Sequence, residues 1–284
     1  MTIVFDGVAL GMLLFLISVG LSVTLGLMNF VNLAHGAFAM LGGYVCVILL
    51  NDYGVPFLAT LPVAIIVPAL VGALLERTLY RRLYATSDLD QVLFSIGLVF
   101  MAVSAAHYFF GGQQQPMHLP AYLNGHLYFA GMRLGIYRLF LIVVGLVVAV
   151  LLQWSVIKTS FGARLRAAVD NQQVARGMGI SVNRVFSLAF TLGSGLAGLG
   201  GALGIPMLGL DPGYPLKYIV YFLIVVSVGG SGNILGSLYA AILLGVADAV
   251  GKYYIPEIGA FIIYFVMVAA LIARPHGLFG RAHK

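Results

Sequence analysis

The sequence predicts an all-α integral membrane protein with about 8–10 transmembrane helices, some of them short or broken. Of its 284 residues, 61% are hydrophobic and only 8% are charged. A soluble domain carries roughly 25% charged residues, so this chain cannot cover a water-facing surface. The charges are also far apart, since no Asp, Glu, Lys or Arg occurs between Asp6 and Asp52. A helix that crosses the bilayer needs about 20 apolar residues, and most of the charge-free stretches hold one or two such lengths.

The basic residues indicate the topology. Three groups hold most of them: Arg77, Arg81 and Arg82; Lys158, Arg164, Arg166, Arg176 and Arg184; Arg274, Arg281 and Lys284. By the positive-inside rule these groups mark cytoplasmic loops at 76–90 and 158–184 and a cytoplasmic C-terminus. The sequence pI of about 9.5 therefore reflects topology and does not indicate nucleic-acid binding. The segment before residue 8 carries only Asp6, so the first apolar run is predicted to be a retained span with its N-terminus outside.

The expected spans follow in order along a single transmembrane domain, residues 1–284. They are 8–28, 36–50, 56–75, 91–111, 138–157, 185–206, 217–229, 234–250 and 258–273. The loops 112–137, 207–216 and 251–257 are then expected outside. Within 185–206, small residues recur every four positions, as in Gly193, Ala197 and Gly201, which predicts close helix packing.

Three of these spans are too short to cross a bilayer as straight helices: 36–50, 217–229 and 234–250. Polar or glycine-rich breaks lie beside them. Paired, interrupted segments of this kind indicate the substrate pathway of a transporter, because irregular backbone at membrane depth must be buried or line a cavity. We therefore expect five residues near the pathway: Asn29, Asn32, His35, Ser231 and Asn233. The alternative for any of the first three is the capping of a broken helix end.

The segment 158–184 is too polar for a span and too long for a turn. Leu165, Ala168 and Val169 lie at helical spacing, which predicts a short amphipathic helix ending at Gly177 or Gly179. Its apolar residues are small, which suits insertion into a protein groove better than a membrane surface. A solvated loop helix without a partner is the alternative.

Four motifs in order along the chain resemble permeases of branched-chain amino acid ABC importers, a hydrophobic amino acid uptake family. They are Gly26–Gly36 followed by Leu41–Tyr44, Arg166–Asn171 followed by Ala175 and Gly179, Val228–Gly236, and Arg274–Gly280. The resemblance covers essentially the whole chain. It departs from the family pattern at Gly177, where a bulkier apolar residue is usual, and at Ala37, where a carboxylate often stands.

The resemblance implies the ABC importer permease fold in a bacterial inner membrane. The implied partners are two cytoplasmic ATPase subunits, a second, related permease subunit and an extracytoplasmic solute-binding protein. ATP and Mg are expected on the ATPases and no cofactor on this chain, which lacks a Gly-x-x-x-x-Gly-Lys-Ser/Thr phosphate loop and so is not expected to be an enzyme. The residues expected to couple to the ATPase are Arg166, Asp170, Asn171, Ala175 and Gly179.

The sequence leaves other interpretations of the function open. The same machinery can move urea, short amides or aromatic acids. An ion-coupled secondary transporter would need ionisable residues in the membrane, for which the candidates are His35, His107, Asp248, Glu76 and Asp90. An intramembrane serine protease would use Ser231 with a histidine base. No metal site is expected, since one His with two Asn is a poor ligand set.

Overall fold

The computed structural model describes residues 2–28, 30, 32–84, 86–129, 132–275 and 277–279. In these residues the chain is mostly helical. The helices are α1 (Thr2–Met28), α2 (His35–Asn51), α3 (Phe57–Thr78), α4 (Asp88–Phe110), α5 (Ile136–Lys158), α6 (Ser160–Asp170), α7 (Gln172–Gly177), α8 (Val182–Leu208), α9 (Tyr214–Gly229), α10 (Ile234–Tyr254) and α11 (Ile262–Ala273). Two 3-10 turns, Tyr80–Leu83 and Gly259–Phe261, follow α3 and precede α11.

Every predicted span corresponds to one of these helices. Six helices of the described chain are long and apolar enough to cross a membrane: α1, α3, α4, α5, α8 and α10. The shorter apolar helices are α2, α9 and α11. The prediction that 234–250 is short was wrong, because α10 continues to Tyr254 and has 21 residues. Its last turns tolerate charge, since Lys252 pairs with Asp248 one turn earlier at 2.7 Å.

Helix α8 lies at the centre of the helix packing, and its glycines make that position possible. Gly200 approaches Ile17 of α1, Gly201 approaches Ala39 of α2, and Gly198 approaches Ala64 of α3. At each of these three positions an added methyl group would meet backbone atoms of the neighbouring helix. The close packing predicted from the small-residue repeat is confirmed, and it involves three different helices.

Helices α1 and α10 form the second close pair and run antiparallel. Gly7 and Gly11 of α1 lie against the α10 backbone near Val246 and Ile242. Toward the other end, the Ser237 hydroxyl donates to the Ser22 hydroxyl at 2.9 Å. In the most apolar part of α1, 83% of the residues are buried, whereas in the corresponding parts of α4 and α5 only 17% are buried. Helices α4 and α5 therefore form the outer wall of the molecule.

The end of the molecule opposite to the loops 76–90 and 158–184 carries a small β-hairpin that the sequence did not indicate. Strands β1 (His126–Phe129) and β2 (Met132–Gly135) pair antiparallel, with His126 opposite Gly135. The same end is tied together by Gln115 N–H donating to the Leu210 carbonyl and by an ion pair between Asp6 and Arg138.

Candidate functional site

The segment 158–184 forms two short helices, not the single helix that the periodicity predicted. Helix α6 begins at the end of α5, where Thr159 accepts a hydrogen bond from the Gly162 N–H at 3.2 Å and acts as N-cap. Leu165 and Ala168 are buried against the body of the protein. The Arg166 guanidinium donates to the Val156 carbonyl in α5. Arg166 therefore fixes α6 to the end of the preceding span.

Helix α7 is only six residues long, and side-chain and backbone caps define both of its ends. The Asn171 side-chain oxygen accepts the Val174 N–H at 3.0 Å, which starts the helix. At its other end the Ile180 N–H donates to the Ala175 carbonyl and the Gly179 N–H to the Arg176 carbonyl. Gly179 has φ +81°, so this is a Schellman cap that a residue other than glycine adopts with strain. The break between the helices is built by Asn171.

The exposed face of this segment carries apolar side chains that no described residue covers. Val174 and Met178 are 55% and 64% exposed, one turn apart. Asp170 and Arg176 flank them and are also exposed, whereas Ala175 is buried. Sequence reasoning named Asp170 but missed Val174 and Met178. Two bulky apolar residues in a polar stretch of sequence were the available signal. An exposed apolar pair with a charged rim has the composition of a protein docking face.

The first break connects α1 to α2 and is fixed by two buried polar side chains. Asn32 accepts hydrogen bonds from the Ala34 N–H at 3.1 Å and from the Tyr80 hydroxyl at 3.0 Å. Burial raises the pKa of Tyr80, so its hydroxyl stays protonated as the donor. His35 Nε2 lies 2.7 Å from the Ile17 carbonyl, and since a carbonyl only accepts, Nε2 carries the proton. Asn29 lies outside the described residues.

That histidine bond places the start of α2 deep in the fold. Ile17 precedes the end of α1 at Met28 by three turns, or roughly 16 Å. The N-terminus of α2 is therefore beside the middle of α1, and Gly36 approaches Pro215 at the start of α9. Asn32 and His35 are 1% and 2% exposed. Their observed contacts are structural, and their part in a substrate pathway stays a prediction.

The second break, between α9 and α10, is made of glycine backbone. Gly230 and Gly232 have φ +89° and +79°, and Asn233 caps α10 by accepting the Gly236 N–H at 2.9 Å. The Gly232 N–H donates to the Ser22 carbonyl of α1. Ser231 is exposed at the tip of the turn.

The C-terminal motif packs on this second break. The Asn233 side-chain amide donates to the Phe279 carbonyl at 3.2 Å, and the Leu278 N–H donates to the Val228 carbonyl at 2.7 Å. Gly277 has φ +82° and lies against Gly230. Three motifs that are far apart in the sequence, at Gly26, at 228–236 and at 274–279, therefore meet at the C-terminal end of α1 and the N-terminal end of α10.

Three of the ionisable residues named for a secondary transporter, Glu76, Asp248 and His35, have partners in the chain. Buried Glu76 accepts the Tyr84 hydroxyl at 2.9 Å and faces Arg81, and buried Asp248 pairs with Lys252. His35 is bonded to a carbonyl and not to Ser231. No group of three or more His, Cys, Asp or Glu in the described part of the chain is arranged to hold a metal ion.

The fold defines a class: a polytopic α-helical membrane protein with a polar, partly exposed helical segment between two spans. The sequence family described as branched-chain amino acid transport system / permease component matches residues 3–271. The chain belongs to this family, and the resemblance noted from its motifs is confirmed.

Several characterised or named relatives cover nearly the whole chain. The chain is 25% identical to the high-affinity branched-chain amino acid transport system permease protein BraD of Pseudomonas aeruginosa, over 97% of this chain and 94% of the relative. It is 28% identical to the probable branched-chain amino acid transport permease protein LivH of Methanocaldococcus jannaschii, over 94% and 89%. Identity to LivH of Escherichia coli K12 is 25%, over 98% and 94%. No solved structure matches the chain significantly.

Proposed function

We propose that this chain is the membrane-spanning permease subunit of an ATP-driven importer for branched-chain or other hydrophobic amino acids. The observation that carries the proposal is the uncovered apolar face of α7, Val174 and Met178, in a member of the branched-chain permease family. Two cytoplasmic ATPase subunits cover this face and supply the ATP and Mg. A second, related permease and an extracytoplasmic binding protein complete the importer.

The proposed orientation puts the coupling segment in the cytoplasm of a bacterial inner membrane. The N-terminus is then outside and the C-terminus inside. The concentration of basic residues in the loops 76–90 and 158–184 supports this orientation. The hairpin end faces the binding protein, and the two broken segments open toward the ATPases.

The residues of the coupling segment have separate tasks in this proposal. Asp170 offers a carboxylate to the ATPase, and Val174 and Met178 insert into its groove. Asn171, Ala175 and Gly179 hold α7 in shape, and Arg166 transmits its movement to α5 through the Val156 carbonyl. Movement of α6 and α7 thereby reaches the spans, because Leu165 and Ala168 are buried against them.

The test uses the complex purified on this chain from its natural source and reconstituted in lipid. We expect ATPase subunits to copurify and ATP hydrolysis to rise with leucine-loaded binding protein. Val174→Ser and Asp170→Ala should lower that stimulation and loosen the ATPases, since the first removes buried apolar contact and the second a charge. Asp88→Ala is the matched control, because Asp88 is an exposed carboxylate in the other cytoplasmic loop.

One variant distinguishes a direct contact between Asn171 and the ATPase from an effect of Asn171 on the shape of α7. Asn171→Ser keeps an N-cap oxygen and removes only the amide, so a loss of coupling there reports a direct contact with the ATPase. Purification without any ATPase, together with solute movement under an ion gradient alone, would replace the importer by a secondary transporter.

A further inference from the structure

A cavity of about 450 Å³ lies at the hairpin end of the molecule, away from the coupling segment. It is partly open to solvent and is lined by the start of α1, the loop before β1, the hairpin, the start of α5 and the end of α8; Arg133 in its lining is exposed. Its volume is within the range of small-molecule sites, about 300–1,000 Å³. Two contacts described above involve residues of its lining: the Asp6–Arg138 ion pair and the pairing of His126 with Gly135.

One part of the lining is polar and positively charged. It contains Thr2, Asn124, His126, Arg133 and Arg138. Arg138 is paired with Asp6, whereas Arg133 is held over the ring of Tyr128 with 5.7 Å from guanidinium carbon to ring centroid. Within the described residues no Asp or Glu lies within 4 Å of the Arg133 guanidinium. No carboxylate of the described residues therefore neutralises its charge.

The start of α5 adds to the positive potential at the cavity. Helix α5 has 23 residues, and its N-cap residue Gly135, which lines the cavity, provides no side-chain cap. Only the first of its amides is accounted for by a loop partner, where the Ile136 N–H donates to the Gly125 carbonyl. An uncapped helix N-terminus next to a cation favours an anionic group.

The other part of the lining is apolar and is formed by Leu119, Leu123, Pro206 and Met207. Leu123 is 6% exposed and Met207 packs against the core, so this part of the cavity has fixed walls. A cavity that combines a cationic part and an apolar part matches a small molecule with one carboxylate and one aliphatic chain. That description fits the cargo of the proposed importer.

We propose that this cavity is an outer binding site for a zwitterionic aliphatic amino acid, with Arg133 as the carboxylate ligand. The inference rests on the proposed function. The Arg133 guanidinium binds the two carboxylate oxygens, and the oxygens of Thr2 and Asn124 accept from the ammonium group. The aliphatic side chain contacts Leu119, Leu123 and Met207. The permease thereby selects cargo at its outer end after the binding protein releases it.

The test measures equilibrium binding of radiolabelled leucine to the whole permease–ATPase complex in lipid nanodiscs, without the binding protein. We expect saturable binding that isoleucine displaces and leucinol, which lacks the carboxylate, does not. Arg133→Gln should weaken binding about tenfold or more, because it removes a charged hydrogen-bond partner. Arg133→Lys should weaken it less, since the charge remains. The control is Lys217→Gln, which removes a cation held over Tyr218 outside the cavity.

Three outcomes would overturn the site. One is the absence of saturable binding at millimolar leucine, and another is equal affinity in Arg133→Gln and the parent complex. The third is a loss in Arg133→Gln of affinity for the loaded binding protein alone, which would make the hairpin end a docking surface. If ATP-driven uptake persists in any of these cases, only this site is refuted. If no ATPase copurifies, the proposed function fails whatever the leucine binding shows.

Discussion

The two breaks in the helices of this molecule are built from different chemistry. Between α1 and α2 the chain is held by buried side chains, Asn32 bonded to Tyr80 and His35 bonded to the Ile17 carbonyl. Between α9 and α10 it is held by backbone, with positive φ at Gly230 and Gly232 and only an N-cap from Asn233. Both breaks contact α1, the first at its middle and the second near its end.

The difference indicates different mechanical properties. A buried side-chain network is costly to break, because each lost partner leaves a polar group without a hydrogen bond. A glycine turn has no side-chain hydrogen bonds that can be lost. What limits it is the space for side chains, since Gly26 and Gly232 lie in backbone contact. The first break therefore anchors α2, and the second allows α1, α10 and the C-terminal motif to meet closely.

The largest effect is expected from filling the glycine contact. In Gly26→Ala the added methyl group would overlap backbone atoms of Gly232 and Ser231, which cannot rotate away. We expect the free energy of unfolding to fall by about 3 kcal/mol or more, the upper range for overpacking. Reversible unfolding in mixed micelles with increasing SDS measures it.

A matched glycine in the same protein provides the control. An added methyl group at Gly97 in α4 has no neighbouring atom within 4 Å, so Gly97→Ala should be neutral or stabilising by up to about 1 kcal/mol. Equal losses at Gly26 and Gly97 would show that the second break is not limited by space.

The side-chain break is expected to give the second effect. Asn32→Ala removes the acceptor of two buried donors, the Ala34 N–H and the Tyr80 hydroxyl, and should cost about 2–3 kcal/mol. Tyr80→Phe removes one donor and leaves Asn32 its backbone bond, so about 1 kcal/mol is expected. A double-mutant cycle on the same unfolding assay should give a coupling energy of about 1 kcal/mol between the two residues. Strict additivity would contradict the hydrogen bond.

How far the sequence predicts this structure depends on the kind of signal. Charge gaps and hydropathy located the nine apolar helices of the described residues, because the bilayer imposes length and composition on each span. The two breaks were also located, since Gly and Asn are unfavourable in a continuous span. The C-terminal end of α10 and the hairpin were missed, because the i,i+4 pair Asp248–Lys252 and strand pairing near the surface leave little trace in a hydropathy pattern.

The coupling segment shows the same limit at the level of single residues. Asn171 and Gly179 were named from the sequence, and the structure finds both at helix caps. The division into α6 and α7 was not predicted, because one apolar period runs through Leu165 and Ala168 and does not reveal where the helix breaks. The exposure of Val174 and Met178 depends on the neighbouring spans, and a periodic pattern does not contain that information.

The smallest effect is expected within the glycine turn itself, where Asn233 and Ser231 are two residues apart. Asn233→Ala removes the N-cap of α10 and its bond to Phe279, so about 1 kcal/mol of stability should be lost. Ser231 is exposed, and Ser231→Ala should change stability by less than about 0.5 kcal/mol. Both variants are measured by the same SDS unfolding and by leucine uptake into proteoliposomes. Because the serine variant keeps the fold, a fall in its uptake reports on the substrate pathway, and unchanged uptake removes Ser231 from that pathway.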